Sequence, residues 1–407
     1  MRNLCLYLHL LLSSFCVLGQ DTIPVHYDAV FGDAPELKNK PVYVVLKGAW
    51  LAQSNAIHLD FVRTVLFGGT LNHTANQHLY QQLNQRNQLM GQQEFGFQLK
   101  SALDSSSFLP KSLFCVQWKK CSWNHLVFSR DVFGLALLGN APFLGQKLDL
   151  SNTSFTQLSY QKIGLGLESE KGGWSFFVNG IEGSDFYQFR IDKGEVYSDP
   201  NGSFIDLNYR MVQVKSLQPN SGVGIGLDFQ WKKRLGEVEW IGEVADLGWI
   251  KFKDVERSAW RANESFAGIS WSEAILEGQK GEEALAQWTE PKKNTQDRSV
   301  QLPTRLTAGV STKGIGYRLI TYCFERQLGW QTLYFTKSNL PIKYGLLHYE
   351  LALNHTFNDR YALSGEVGFM NNKKDFNLSV LASELPGFLM ANSRQLMCQI
   401  SIQKRIF

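Results

Sequence analysis

The chain has 407 residues, 44% hydrophobic and 13% aromatic but only 19% charged, with a formal net charge of +4. That composition is too apolar for a disordered chain. No run after the first twenty residues is long and apolar enough for a membrane-crossing helix. The small positive balance, with no Lys/Arg-rich block, removes nucleic acid as an expected partner. A mean hydropathy of −0.20 with 35 glycines and abundant aromatics suggests β-structure with one greasy face.

Met1 to Gly19 has a basic start, a Leu-dominated centre and a small residue before Gln20, the layout of a secretory signal peptide. Residues 20–407 then form a single expected domain. Cys5 and Cys16 leave with the signal. Among the remaining cysteines, Cys115 and Cys121 are a candidate disulfide across a hairpin in an oxidising compartment, with two free thiols as the alternative. Thr74–Met90 is Gln/Asn-rich without period-two alternation and reads as a helix, either outside a barrel wall or as a partial plug. Asp131–Leu138 is a shorter helical candidate closed by the turn Gly139-Asn140-Ala141-Pro142.

From there alternation dominates. Ile205, Leu207, Tyr209 and Met211 stand against Asp206, Asn208 and Arg210. Val223, Ile225, Leu227, Phe229 and Trp231 share one parity, and glycines with Asp228, Gln230 and Lys232 share the other. Val238, Trp240 and Val244 oppose Glu237, Glu239 and Glu243. Residues 272–298 hold many charges and Pro291, and read as a helical or irregular insertion. Alternation returns at Leu347–Leu353 and Tyr361–Phe369, and again from Gln395, where Leu396, Cys398, Ile400, Ile402 and Ile406 share a parity that excludes Phe407.

Such strands suit two architectures. A soluble β-protein points the apolar parity inward, whereas an outer-membrane barrel points it at lipid and keeps a polar lumen. Candidate strands of about nine to thirteen residues match a tilted spanning strand better than the usual ~5–6 of soluble strands. Aromatics such as Trp231, Tyr361 and Phe369 sit at the ends of apolar faces, where interfacial girdles occur. The expected fold is therefore an all-β transmembrane antiparallel barrel of about 12–16 strands, 14 favoured, with a few short helices. Its lumen-facing polar candidates are Asp206, Asn208, Arg210, Asp228, Gln230, Glu243 and Asp246, lining a solute path or filling the interior with charge.

No catalytic chemistry emerges. Gly222-x-Gly224-x-Gly226 lies inside a strand, not between a strand and a helix, so it is no dinucleotide loop; its glycines mark a crowded lumen or a bend. His73 and His78 are five apart, off the i, i+4 zinc spacing, and no G-x-S-x-G elbow occurs. No enzyme, cofactor or metal is expected.

Several segments together resemble a known family. They are Leu138-Gly139-Asn140, Gly164-Leu165-Gly166, the run GVGIGLD from Gly222 to Asp228, and Ala245-Asp246-Leu247-Gly248-Trp249-Ile250. Their order is similar to a Bacteroidetes outer-membrane β-barrel family of unknown function, related to FadL-like and PorV-like barrels, over roughly Pro41 to Phe407. The resemblance implies an outer-membrane barrel and supplies no catalytic motif. Expected partners are outer-membrane lipid, the assembly machinery during insertion, and other envelope proteins. Expected roles are FadL-like passage of small hydrophobic molecules or an accessory part in an envelope assembly such as type IX secretion. A secreted soluble β-rich binding protein is the alternative.

Overall fold

The structure, a computed structural model, describes residues 42–57, 61, 73–103, 112–169, 173–266, 291–312, 315–324, 327–342, 344–356, 360–373, 375–383 and 395–405. The expected signal peptide and Phe407 lie outside them. The elements run β1 (Val42–Ser54), α1 (His73–Gln82), β2 (Arg86–Ala102), β3 (Ser112–Ser129), α2 (Arg130–Leu138), β4 (Lys147–Asp149), β5 (Thr153–Ser169), β6 (Trp174–Ser198) and β7 (Ile205–Ser216). Then follow β8 (Gly222–Leu235), β9 (Val238–Phe266), β10 (Lys292–Gln301), β11 (Thr304–Thr312), β12 (Ile315–Phe324), β13 (Gln327–Ile342), β14 (Gly345–Thr356), β15 (Arg360–Asn371), β16 (Phe376–Ser383) and β17 (Gln395–Arg405).

Neighbouring strands pair antiparallel, and β1 pairs with both β2 and β17, which closes the sheet into a barrel. The 17 strands make fewer staves than their number. β7 and β8 follow one another along β6 and β9 and form one stave; β10 and β11 do the same along β9. Their breaks contain Pro219 and Pro303, which cannot donate to a ladder. β4 merely extends the β5 stave along the end of β6. Fourteen staves remain among the described residues.

The two faces decide the environment. Ile163, Leu165, Val223, Ile225, Trp249 and Val367 are exposed, Val223 at 68%. On the opposite face Glu94, Gln117, Lys162, Asn179, Arg305, Glu350, Glu366 and Gln399 are buried. Leaving each large aliphatic in water would forgo about 1.5–3 kcal/mol of burial, whereas charged residues are almost never fully buried unless paired. This inside-out distribution is that of a transmembrane barrel, and it argues against the soluble alternative. Along β9, Trp240 and Trp249 are exposed at the two limits of the apolar band. About 30 Å of strand lies between them at ~3.3 Å per residue; tilted by ~40°, it covers ~23 Å, close to the ~25 Å apolar band of such barrels.

Above Trp249 the rule reverses. Phe252, Val255, Val300, Val212 and Val214 are buried inside, while Lys251, Lys215, Lys293, Glu256 and Asp297 stand outside in ion pairs. The inner residues belong to one apolar cluster that also takes in Leu51, Trp123, Leu158, Ile181, Ile320, Leu333, Phe335 and Leu381. Because these side chains come from staves all around the ring and are buried, the cluster fills the lumen as a septum.

The helices flank the wall. Ser129 caps α2, its Oγ accepting from Val132 N at 3.2 Å. Phe133 of α2 and Leu79 of α1 pack on Phe128 and Leu126, whose parity on β3 is opposite to that of the lumenal Cys121 and Trp123. So α1 sits outside the wall and is not a plug.

Other expectations need correction. The predicted helix over Thr74–Met90 ends at Gln82, and Leu89 and Met90 already belong to β2, where alternate burial outweighs the Gln-rich composition. The predicted insertion 272–298 overlaps β10, whose polar residues KKNTQDRS suit a water-exposed strand; residues 272–290 of it lie outside the described set. Strands also exceed nine to thirteen residues, reaching 29 in β9, because the wall rises beyond the apolar band.

Candidate functional site

Below the septum the lumen holds a charge network centred on Lys162. Its side chain is 2% exposed, and its Nζ donates to Asp228 Oδ2 at 2.8 Å and Oδ1 at 3.0 Å, and to Asp246 Oδ1 at 2.7 Å. Asn179 Nδ2 donates to Asp228 Oδ2 at 3.0 Å, and Gln117 Nε2 reaches the same oxygen at 3.1 Å and Asn179 Oδ1 at 2.8 Å. Five side chains from β3, β5, β6, β8 and β9 thus satisfy one another across five neighbouring staves. A lone buried charge is prohibitively costly, and only such pairing makes burial tolerable.

The backbone shapes this cluster. Asp246 has φ of 58° and sits in a bulge of β9, where the register with β8 shifts between Leu227 and Phe229. Asp tolerates this left-handed conformation better than most residues. Asp246 N donates to Asp228 Oδ1 at 2.8 Å, and its carbonyl accepts from Thr304 Oγ1 at 3.0 Å. The Leu302 amide, at the break between β10 and β11, donates to Gly248 O at 3.0 Å. The bulge is clamped from both neighbouring staves.

Glycine on the lumenal parity supplies room. A Cβ on Gly164 would lie 2.9 Å from Gln117 Cγ, displacing the Gln117–Asn179 pair, and one on Gly226 would lie 3.0 Å from Ile181 Cδ1. The lumen is crowded at both positions.

Between this cluster and the short-turn end, where β5 passes to β6 and β8 to β9, lies a vestibule of about 600 Å³, part of it open solvent. Lys47, Glu94, Lys119, Glu168, Asp228, Gln230 and Glu243 are among its lining residues. Its charges are compensated: Lys119 pairs with Glu94 at 2.9 Å, Lys100 with Glu168 at 2.7 Å, and Arg305 with Glu243 at 2.5 Å. The arrangement presents paired ions to water below and an apolar septum above. It suits holding the wall together; Lys162 already occupies the position between the two carboxylates where a cation would sit.

Of the expected lumen residues, Asp228, Gln230, Glu243 and Asp246 are at this site. Asp206, Asn208 and Arg210 share the β7 parity of Val212 and Val214 but lie beyond the septum; Asn208 bonds Glu195 there at 3.3 Å. Sequence reasoning missed Lys162, Gln117 and Asn179. Lys162 had a local signal, being a charged residue on the glycine parity of β5, two positions before Gly164. Cys115 and Cys121 are free thiols, not a disulfide. Both lie on β3, six residues apart on one face, about 20 Å along a strand and far beyond disulfide reach.

No family model and no curated protein matches the chain. Among solved structures it is similar to the toluene transporter TbuX of Ralstonia pickettii, at 10% identity and TM-score 0.39, covering 91% of each chain. It is also similar to the monoaromatic hydrocarbon channel TodX in a ΔS2S3 mutant, at 8% identity and TM-score 0.42, covering 92% of this chain and 91% of that one. A third is the autotransporter NalP translocator domain of Neisseria meningitidis, at 5% identity and TM-score 0.29, covering 91% and 90%. All are remote in sequence and in superposition, so the transmembrane barrel assignment stands on the closed strand order and the inside-out faces of this chain.

Proposed function

We propose that the protein is a bacterial outer-membrane barrel with a closed lumen that passes small hydrophobic molecules and excludes hydrated solutes. The observation that carries this reading is the apolar septum formed by Phe186, Ile250, Phe252, Leu302 and Leu333 above a compensated polar vestibule. A hydrated ion loses its shell in such a layer, whereas an apolar molecule loses nothing by entering it. The short β-turns at one end and the longer connections at the other support placing the vestibule on the periplasmic side. On this reading the chain has no enzymatic role; its partners are outer-membrane lipid and, during insertion, the assembly machinery.

The test is reconstitution into planar bilayers and vesicles. Small ion conductance together with faster entry of a monoaromatic probe is expected. Steady conductance typical of a water-filled pore, or no acceleration of the probe, overturns it. A second reading, an accessory of an envelope assembly such as type IX secretion, is favoured by the wall above the apolar band and the helices flanking it, which offer a broad surface to partners. Reproducible co-purification of envelope proteins from detergent extracts, with no probe transport, supports this reading over passage.

A further inference from the structure

The wall above the septum concentrates positive charge on one face. In β7, Arg210 stands on the parity of Val212 and Val214. Its cross-strand partners are Lys193 of β6 and Arg261 of β9, giving a row of three cations on adjacent strands. The next row contains Arg190, paired with Val212, and Lys292, paired with Ala259; the row after contains Arg257, paired with Val214. All six cations are exposed. Adjacent strands lie about 4.8 Å apart, and like charges directly opposite one another destabilise a sheet.

Acidic side chains relieve only one edge. Arg190 pairs with Asp192 at 2.5 Å and Lys193 approaches Glu195 at 3.7 Å. Among the described residues no ion pair engages Arg210, Arg257, Arg261 or Lys292. The opposite face of the same strands is balanced instead, through Lys215–Glu256, Lys293–Glu256 and Lys251–Asp297. With a net charge of only +4 over the whole chain, this one-faced excess is a local property.

We propose that this face binds a soluble polyanion carrying two or more phosphoryl groups about 5–10 Å apart, seated across the Lys193–Arg210–Arg261 row. Guanidinium forks match phosphoryl oxygens in bidentate geometry, and a ligand of that charge relieves the repulsion that the bare row carries. Because the face shares the parity of the septum residues, the ligand approaches from the water above the lumen. Phosphoryl groups of a lipid headgroup offer the same chemistry from within the bilayer, and the test separates the two sources.

The full-length protein in detergent micelles is titrated with inorganic tripolyphosphate by calorimetry, and its pelleting with phosphatidylglycerol vesicles is measured alongside. Expected are saturable tripolyphosphate binding that weakens with salt, and a loss of roughly tenfold or more in Arg210→Gln/Arg261→Gln. Vesicle pelleting should not change in that variant. The double variant should melt no lower than wild type, since it removes like-charge contacts. The control Lys251→Gln/Lys293→Gln, on the other face, should keep wild-type affinity. Absence of tripolyphosphate binding, equal loss in the control, or loss confined to vesicle binding overturns the proposal. So does a marked drop in melting temperature of the double variant, because Arg210 and Arg261 are then held by acidic residues of the chain itself.

Discussion

Two stretches of one strand follow opposite rules. In lower β9, Trp240, Leu247 and Trp249 face out and Glu243 and Asp246 face the lumen; in upper β9, Phe252 and Val255 face in and Lys251 and Lys253 face out. The lower wall has lipid for its apolar solvent and must carry its polar groups inside, where each needs a partner. The upper wall meets water and builds an ordinary core. The septum is where that core closes over the lumen, so occlusion comes from the change of solvent and needs no inserted plug.

Lys162 gives the sharpest test of this contrast. Lys162→Met leaves Asp228 and Asp246 buried without their shared cation and should cost about 3–5 kcal/mol. Urea unfolding followed by loss of the heat-modifiable gel band measures it. Adding Asp228→Asn and Asp246→Asn should recover much of the loss, and an unchanged midpoint in the single variant would show that the lower interior is not held by charge. In the upper core, Phe252→Ala should cost about 3–5 kcal/mol by cavity formation and raise single-channel conductance; unaltered conductance would remove Phe252 from the seal. Next in size, Ile225→Arg on the lipid face should cost roughly 2–4 kcal/mol for folding into vesicles, whereas Lys251→Arg across the boundary should stay within about 0.5 kcal/mol. Equal costs would erase the boundary at Trp249. The smallest effect concerns thiols: reductant should leave the folded protein's gel mobility unchanged, and maleimide should reach Cys115 and Cys121 only after unfolding.

The sequence carried the lower wall well and the upper wall poorly. Val223–Trp231 displays its lipid face because apolar and glycine or charged residues alternate without interruption, and Asp228 could be assigned to the lumen from parity alone, whereas Asp246 shares even numbers with the outward Trp240 and Val244 and reaches the lumen through its bulge. Lys162, Asn179 and Gln117 could not be joined to them, since contacts across five staves leave no local spacing. The reversal was written in β7, where Met211-Val212-Gln213-Val214-Lys215 transfers the apolar parity from odd to even numbers. Reading Ile205–Met211 as one uniform pattern hid it. Likewise β10 has little apolar periodicity because one face is hydrated and only Val300 is buried on the other.

The bulge at Asp246 has a counterpart at Asp254, also a non-glycine residue with positive φ, 49°. Each inserts a single residue into a two-residue repeat, so each acts on the strand as a frameshift acts on a message. The first brings Leu247 and Trp249 to the membrane after Trp240 and Val244; the second brings Val255 into the core after Ile250 and Phe252. The segment between the two aspartates is therefore a frame of its own. A change of its length by two residues keeps every side chain on its face, whereas a change by one exchanges its lipid-facing and lumenal side chains wholesale.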